Sequence, residues 1–274
     1  MIMRNLSRVA LNAVVGLIVL IWLVPTYLIV VNAFTPSKEY TGAPRWWFAT
    51  WDIFSNISAA FSAAHVGQGM LNSLLYAVVG GLIAVLAAAL AAFGVAVVPI
   101  KRPAVWFWLI FIGTVLPLQT FLAPLFNGYA GLSLYDTQYG MILVYAALAV
   151  PFAFFVTRNF MLTIPSEISE AARIDGAGWW TMLLRVHLPL ARGALVAAFI
   201  FQFTWIWNDL LFGITLSISS NVRPVMATLA DLSGAYSTAG PPVILAGALV
   251  ASLPTIVLFF AAQRFFVNSL RLTS

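Results

Sequence analysis

The sequence predicts an all-α polytopic membrane protein with six transmembrane helices. The first ground is composition: 62% of the 274 residues are hydrophobic, only 8% are charged, and the mean hydropathy is +1.00. A soluble globular domain carries roughly 25% charged residues. The second is distribution: residues 9–37, 53–100, 103–135, 137–157, 193–208 and 232–263 contain no Asp, Glu, Lys or Arg. The third is texture: these runs are continuous and long, whereas strands of a membrane barrel alternate and run only ~10 residues.

A bilayer core of ~30 Å is crossed by about 20 apolar helical residues. On that length the spans fall at 9–34, 70–99, 104–127, 138–159, 192–217 and 243–266, all within one membrane domain covering 1–274. The first run is too long for a signal-peptide core and lacks an A-x-A site, so it reads as a retained helix. Residues 35–69 form an outer loop. Its cluster Trp46, Trp47, Phe48 and Trp51 reads as an anchor at the membrane–water boundary, followed by a short interfacial helix near 52–64. In the second span Gly80, Ala84, Ala88 and Ala92 make a small-residue ridge that lets a neighbouring helix approach closely. Pro117, Pro124, Pro151 and Pro254 lie inside spans, where each removes a helix hydrogen bond and can bend its helix. The fifth uncharged run is short because Asp209 interrupts it, and the span is extended to Ser217. Loops 128–137 and 218–242 are assigned to the outer side.

With both termini inside, ten Lys and Arg residues lie on the inner side and three (Lys38, Arg45 and Arg223) on the outer side. That asymmetry places both ends in the cytoplasm. It also accounts for the net charge of +5 through anionic lipid, without nucleic acid. There is no cysteine, so disulfides and thiolate metal sites are excluded.

The charged stretch 160–191 stands apart from the apolar chain. Ser166 is placed to cap a helix whose positive end carries Glu167 and Glu170. Ala171 and Ala172 are small, strong helix formers, and Gly176 or Gly178 supplies the positive φ that stops the helix. A second short helix starts at Trp179 and is broken by Pro189, after which the fifth span begins. Two readings of this helix–turn–helix stand side by side: a surface that docks a soluble partner, and an amphipathic surface helix anchored by Trp179 and Trp180.

The same stretch resembles the EAA loop of binding-protein-dependent ABC importer permeases. That pattern is E-A-A, three residues, G, nine residues, then I-x-L-P. Here it reads Glu170-Ala171-Ala172, Gly176 and Val186-His187-Leu188-Pro189, with Val in place of Ile, and Asp175 before the glycine also suits the family. Asn72-Ser73-Leu74, Pro151-Phe152, Trp207-Asn208-Asp209 and Gln263-Arg264-Phe265-Phe266-Val267 resemble the carbohydrate-importer branch, closest to the second, six-helix permease of maltose-type and glycerol-phosphate-type systems. The resemblance covers about residues 70–268. Many relatives continue past the last helix with a Gly-rich basic tail; here the chain reads Leu270-Arg271-Leu272-Thr273-Ser274, and no tail contact is carried over.

The resemblance implies a type I importer fold in a prokaryotic cytoplasmic membrane. It implies a coupling helix within 165–180, with Glu170 as polar anchor, Ala171 and Ala172 as close-contact face, Asp175 beside them and Gly176 as turn. The implied partners are a second permease subunit, two cytoplasmic ATPase subunits and an extracytoplasmic solute-binding protein, and the implied cargo is a sugar or sugar-like solute. ATP and Mg would be bound by the ATPase subunits, with no cofactor in this chain; no G-x-x-x-x-G-K-S/T loop occurs in the sequence. The expected role is transport, not enzymatic catalysis.

Trp205, Asn208 and Asp209 mark a candidate solute path, since an intramembrane acid is costly unless it faces a cavity or a partner. The alternative is a structural polar contact, between the fifth and sixth helices or at the interface with the second permease. His65 and His187 read as packing or surface residues, and no metal site is assigned. A rival function class, a secondary solute transporter, would need mid-membrane coupling-ion groups and usually an internal repeat; Asp209 alone does not supply them. No paired nucleophile and base lies within the spans, which argues against an intramembrane enzyme.

Overall fold

The computed structural model describes residues 2–48, 50–234 and 239–271, with side chains over 11–48, 50–234 and 239–263. Arg264–Val267 in the last family-like run lie outside the described side chains, and 272–274 outside the described chain. The described helices are α1 (Ile2–Ala33), α2 (Ile53–Ala64), α3 (Val66–Ala96), α4 (Pro103–Val115), α5 (Leu118–Gly131), α6 (Gln138–Met161), α7 (Ser166–Ile174), α8 (Trp179–Trp207), α9 (Leu211–Leu216), α10 (Val225–Asp231) and α11 (Pro241–Arg271). Five of the described helices are long and apolar enough to cross a membrane, and α4 with α5 forms a sixth span broken by 91°. The chain divides into two compact units, Met1–Val66 with Leu229–Leu253, and Gly67–Thr228 with Pro254–Ser274.

In the first unit, α1 exposes Trp22 (78%) and Leu20 (65%), an apolar surface that lipid or another apolar protein must cover. The loop after it is held by amides. Asn32 Nδ2 donates to Leu28 O and Arg45 O, its Oδ1 accepts from Arg45 N, and Asn56 Nδ2 donates to Ala33 O and Thr35 O at 2.8 Å each. The interfacial helix expected near 52–64 is present as α2, and Trp46, Trp47 and Trp51 are exposed.

In the second unit, α6 packs against α3, α4 and α8. The ridge on α3 works as its spacing predicts: Ala84, Ala88 and Ala92 are fully buried, and a Cβ on Gly80 would lie 3.5 Å from Ile142 O of α6. Backbones that close gain dispersion contacts that lipid tails do not supply. Below the ridge, Phe93, Phe154, Met161, Met182 and Leu183 join one buried cluster.

Two spans and a loop depart from the sequence reading. The span placed at 104–127 is broken after Val115: Leu116 is extended (φ −67°, ψ 133°) and Pro117 follows. A residue before proline is pushed out of the helical region. The span placed at 192–217 starts at Trp179 and ends at Trp207, so Pro189 does not break it. A π turn at Leu183–His187 lets the Leu188 N–H reach back five residues to Leu183 O, and that shift of register makes room for the proline ring. Finally, the loop placed at 218–242 contains α10.

Candidate functional site

The elbow between α6 and α8 carries α7. Ser166 is the first helical residue, not the cap; Pro165 holds the cap position, with no side-chain cap hydrogen bond. The helix ends in a Schellman turn. Gly176 takes φ +78°, its N–H donates to Arg173 O at 3.0 Å, and Ala177 N donates to Ala172 O at 2.9 Å. Of the two candidate glycines, Gly176 is the one in the left-handed region, where a side chain would be strained.

The elbow is fastened on its inner side. Ser169 Oγ lies 3.0 Å from His187 Nε2, and His187 is 1% exposed. The Arg173 guanidinium sits 4.7 Å from the Trp179 ring centre, and Phe93 stacks edge-on to both Trp179 and His187. His187 is therefore a packing residue, and the Ser169–His187 contact had no signal in the sequence beyond two polar residues eighteen apart.

The outer side is free. Glu167, Glu170, Ala171, Asp175 and Gly176 are exposed, Ala172 is half-buried, and Ile174 is 86% exposed. Glu170 and Asp175 form no ion pair among the described residues. Glu170 also edges a cavity of about 280 Å³ shared with Ser166, Ser169, Arg173 and His187.

The other candidate residues are brought only partly together. Trp205 is half-buried, edge-on to Tyr145 at 6.2 Å, and lines a cavity of about 310 Å³. Asn208 turns back on its own helix, with Nδ2 donating to Thr204 O at 2.7 Å. Asp209 is not inside a helix. It lies in the break between α8 and α9, where its carboxylate accepts from Tyr145 Oη at 2.9 Å and from Gly213 N at 3.1 Å. These contacts run to α6 and α9, not to the last helix. The sequence reading passed over Gln202, one turn before Trp205 and 4% exposed, because it carries no charge.

At the other end of the second unit, residues 216–225 are strapped down. Asn72 Nδ2 donates to Ser220 O (3.0 Å) and Arg223 O (2.9 Å), Ser73 Oγ accepts from Val225 N (2.8 Å), and Tyr76 Oη donates to Val222 O (2.6 Å). Asp136 accepts from Ile218 N and Ser219 N, and from Ser219 Oγ. Partial burial works against the charge of Asp136. The three hydrogen bonds and nearby Arg223 outweigh it and hold the carboxyl below its ordinary 3.8.

Residues 80–272 match a family model described as the binding-protein-dependent transport system inner membrane component. The chain belongs to this family. The permease is 28% identical over 272 residues to the osmoprotective compounds uptake permease protein GgtD of Synechocystis sp., covering 96% of this chain and 91% of that one. It is 34% identical over 221 residues to the alpha-glucoside transport system permease protein AglG of Rhizobium meliloti, covering 78% of this chain and 58% of the relative. It is 30% identical over 267 residues to the sn-glycerol-3-phosphate transport system permease protein UgpE of Yersinia pestis, covering 92% of each. A chain of a crystal structure of a bacterial ABC transporter involved in the import of the acidic polysaccharide alginate has the same fold. Its TM-score is 0.78 at 20% identity, over 96% of this chain and 97% of that one. The permease is thus an all-helical inner-membrane transport component.

Proposed function

We propose that this permease carries a sugar or sugar-like solute across the cytoplasmic membrane as one half of a permease pair, with α7 as the helix that seats in an ATPase subunit. One observation carries the reading: α7 presents Glu170, Ala171 and Ile174 to the outside, with the carboxylates unpaired, while its inner side is fixed to α8 through His187 and Trp179. A surface free to bind and a rear fastened to a long span is what force transmission between chains needs. Apolar Ile174 offers area to bury, and Glu170 and Asp175 offer charge-assisted bonds to basic groups.

Two ATPase subunits bind ATP and Mg and carry out hydrolysis, a second permease completes the path, and an extracytoplasmic binding protein delivers solute. ATP-driven closure of the ATPases draws the two elbows together and favours the outward-open state; hydrolysis returns the bundle. The excess of Lys and Arg on the elbow side supports cytoplasmic termini. The alpha-glucoside relative supports the sugar class.

The test is Glu170→Lys in the assembled importer. Normal insertion with loss of ATPase co-purification and of ATP-driven uptake is expected. Unchanged uptake that follows a proton gradient instead would overturn the reading in favour of a secondary transporter.

A further inference from the structure

The cavity of about 310 Å³ lies where the broken span meets the bundle. Gly113 and Thr114 come from the end of α4, Leu118 from beyond the break, Phe152 from α6, and Phe201, Gln202 and Trp205 from α8. Its walls are mostly apolar and aromatic; Phe152 and Phe201 meet edge-on at 5.7 Å. Thr114 and Gln202 are the polar exceptions, and the Thr114 hydroxyl already donates to Phe111 O. Gln202 is 4% exposed, lines the cavity, and has no hydrogen-bond partner among the described residues.

A primary amide has two N–H donors and a carbonyl acceptor. With no protein partner, the Gln202 amide atoms stay open to the cavity and take hydrogen bonds from whatever fills it. Water or a polar solute in the cavity can satisfy them. A lipid acyl chain has no group to do so. A sugar ring has hydroxyls for the amide and a C–H face for the indole of Trp205 and the ring of Phe201. The volume is at the low end of small-molecule sites, which run from ~300 Å³, so it admits a ring-sized portion of a solute.

We infer that this cavity is a solute subsite, in which the Gln202 amide hydrogen-bonds a ring hydroxyl while Trp205 and Phe201 pack on the ring's C–H face. This deepens the sugar-permease reading and rests on it. The consequence is that this permease adds its own selectivity to that of the binding protein. The break at Pro117 opens the space, so an intact third span would leave less room beside α8.

The absence of cysteine from this chain makes the test direct. The complete importer, reconstituted in proteoliposomes, carries Gln202→Cys, and labelling is read on this chain by mass. The thiol is expected to react with a charged, water-soluble methanethiosulfonate. Millimolar maltose, trehalose or N,N′-diacetylchitobiose is expected to slow that reaction. Reaction with a lipid-soluble maleimide alone identifies an acyl-chain crevice and overturns the inference. So do rates that none of the three sugars changes. In uptake assays Gln202→Leu raises KM about tenfold, the loss expected for one hydrogen bond, with less effect on kcat, and Gln202→Asn recovers part of it. A fall in kcat alone overturns the subsite. If the unaltered importer shows no ATP-driven uptake at all, the sugar-permease reading itself fails; intact uptake with an unprotected thiol refutes only the subsite.

Discussion

The elbow at 165–180 and the strap at 216–225 belong to the same compact unit and bracket α8, yet they are held in opposite ways. The strap spends its polar groups inward: Asn72, Ser73, Tyr76 and Asp136 occupy its carbonyls and amides. The elbow is fastened at only a few points, and it leaves three carboxylates and an 86%-exposed Ile174 outside. A segment whose hydrogen bonds are met by its own bundle is part of the scaffold. A segment with exposed, unpaired groups of both kinds is available to another chain.

This contrast is broken or sharpened by substitutions that separate stability from assembly. The largest loss of stability is expected for Asn72→Leu, which strips the donors from two strap carbonyls at a site 1% exposed. It costs about 3 kcal/mol, read as a lower thermal midpoint of the detergent-solubilised importer; an unmoved midpoint would show that the strap is not scaffold. Gly176→Ala is expected to cost about 1 kcal/mol, since φ is +78° there. Because that strain sits in the elbow, most of its effect appears as reduced ATPase co-purification. Ile174→Ser should change stability by no more than about 0.5 kcal/mol while weakening ATPase retention about tenfold, as for a lost buried aliphatic contact. Full retention after that change would remove Ile174 from the docking face.

The smallest effect concerns acid. The folded-state pKa of Asp136 lies below 3.8, so its contribution to stability is fully present above that value and is lost as pH falls through the lower one. The advantage of the unaltered permease over Asp136→Asn is therefore constant from neutral pH down to about 3.8 and shrinks below it. A gap that already closes between pH 7 and 5 would mean another group controls the strap.

Much of this was legible beforehand. Long uncharged runs read as containing the spans, because the bilayer sets their length, and the alanine ridge reads as a close-packing face. Gly176 was one of two candidates for the turn, and the charges of 160–191 had to lie outside hydrocarbon. The candidate solute path was less legible. Asp209 stood out by its charge, but its carboxylate is occupied by Tyr145, a residue 64 positions away that no local pattern links to it. Gln202, the amide that lines the cavity, was silent because an uncharged amide hardly disturbs an apolar run.

Two prolines show where the boundary falls. The sequence by itself determined that Pro117 and Pro189 each cost a helix a hydrogen bond, just as it determined how many spans there are and which surface is charged. It did not determine what the helices would do about it. At Pro117 the chain breaks by 91° and goes on as a second limb; at Pro189 a π turn absorbs the ring and a 29-residue helix runs through. The missing N–H is a property of the residue. Whether the freed carbonyl is met by a shifted turn or the helix breaks depends on the neighbours packed around it, and only the tertiary structure supplies those.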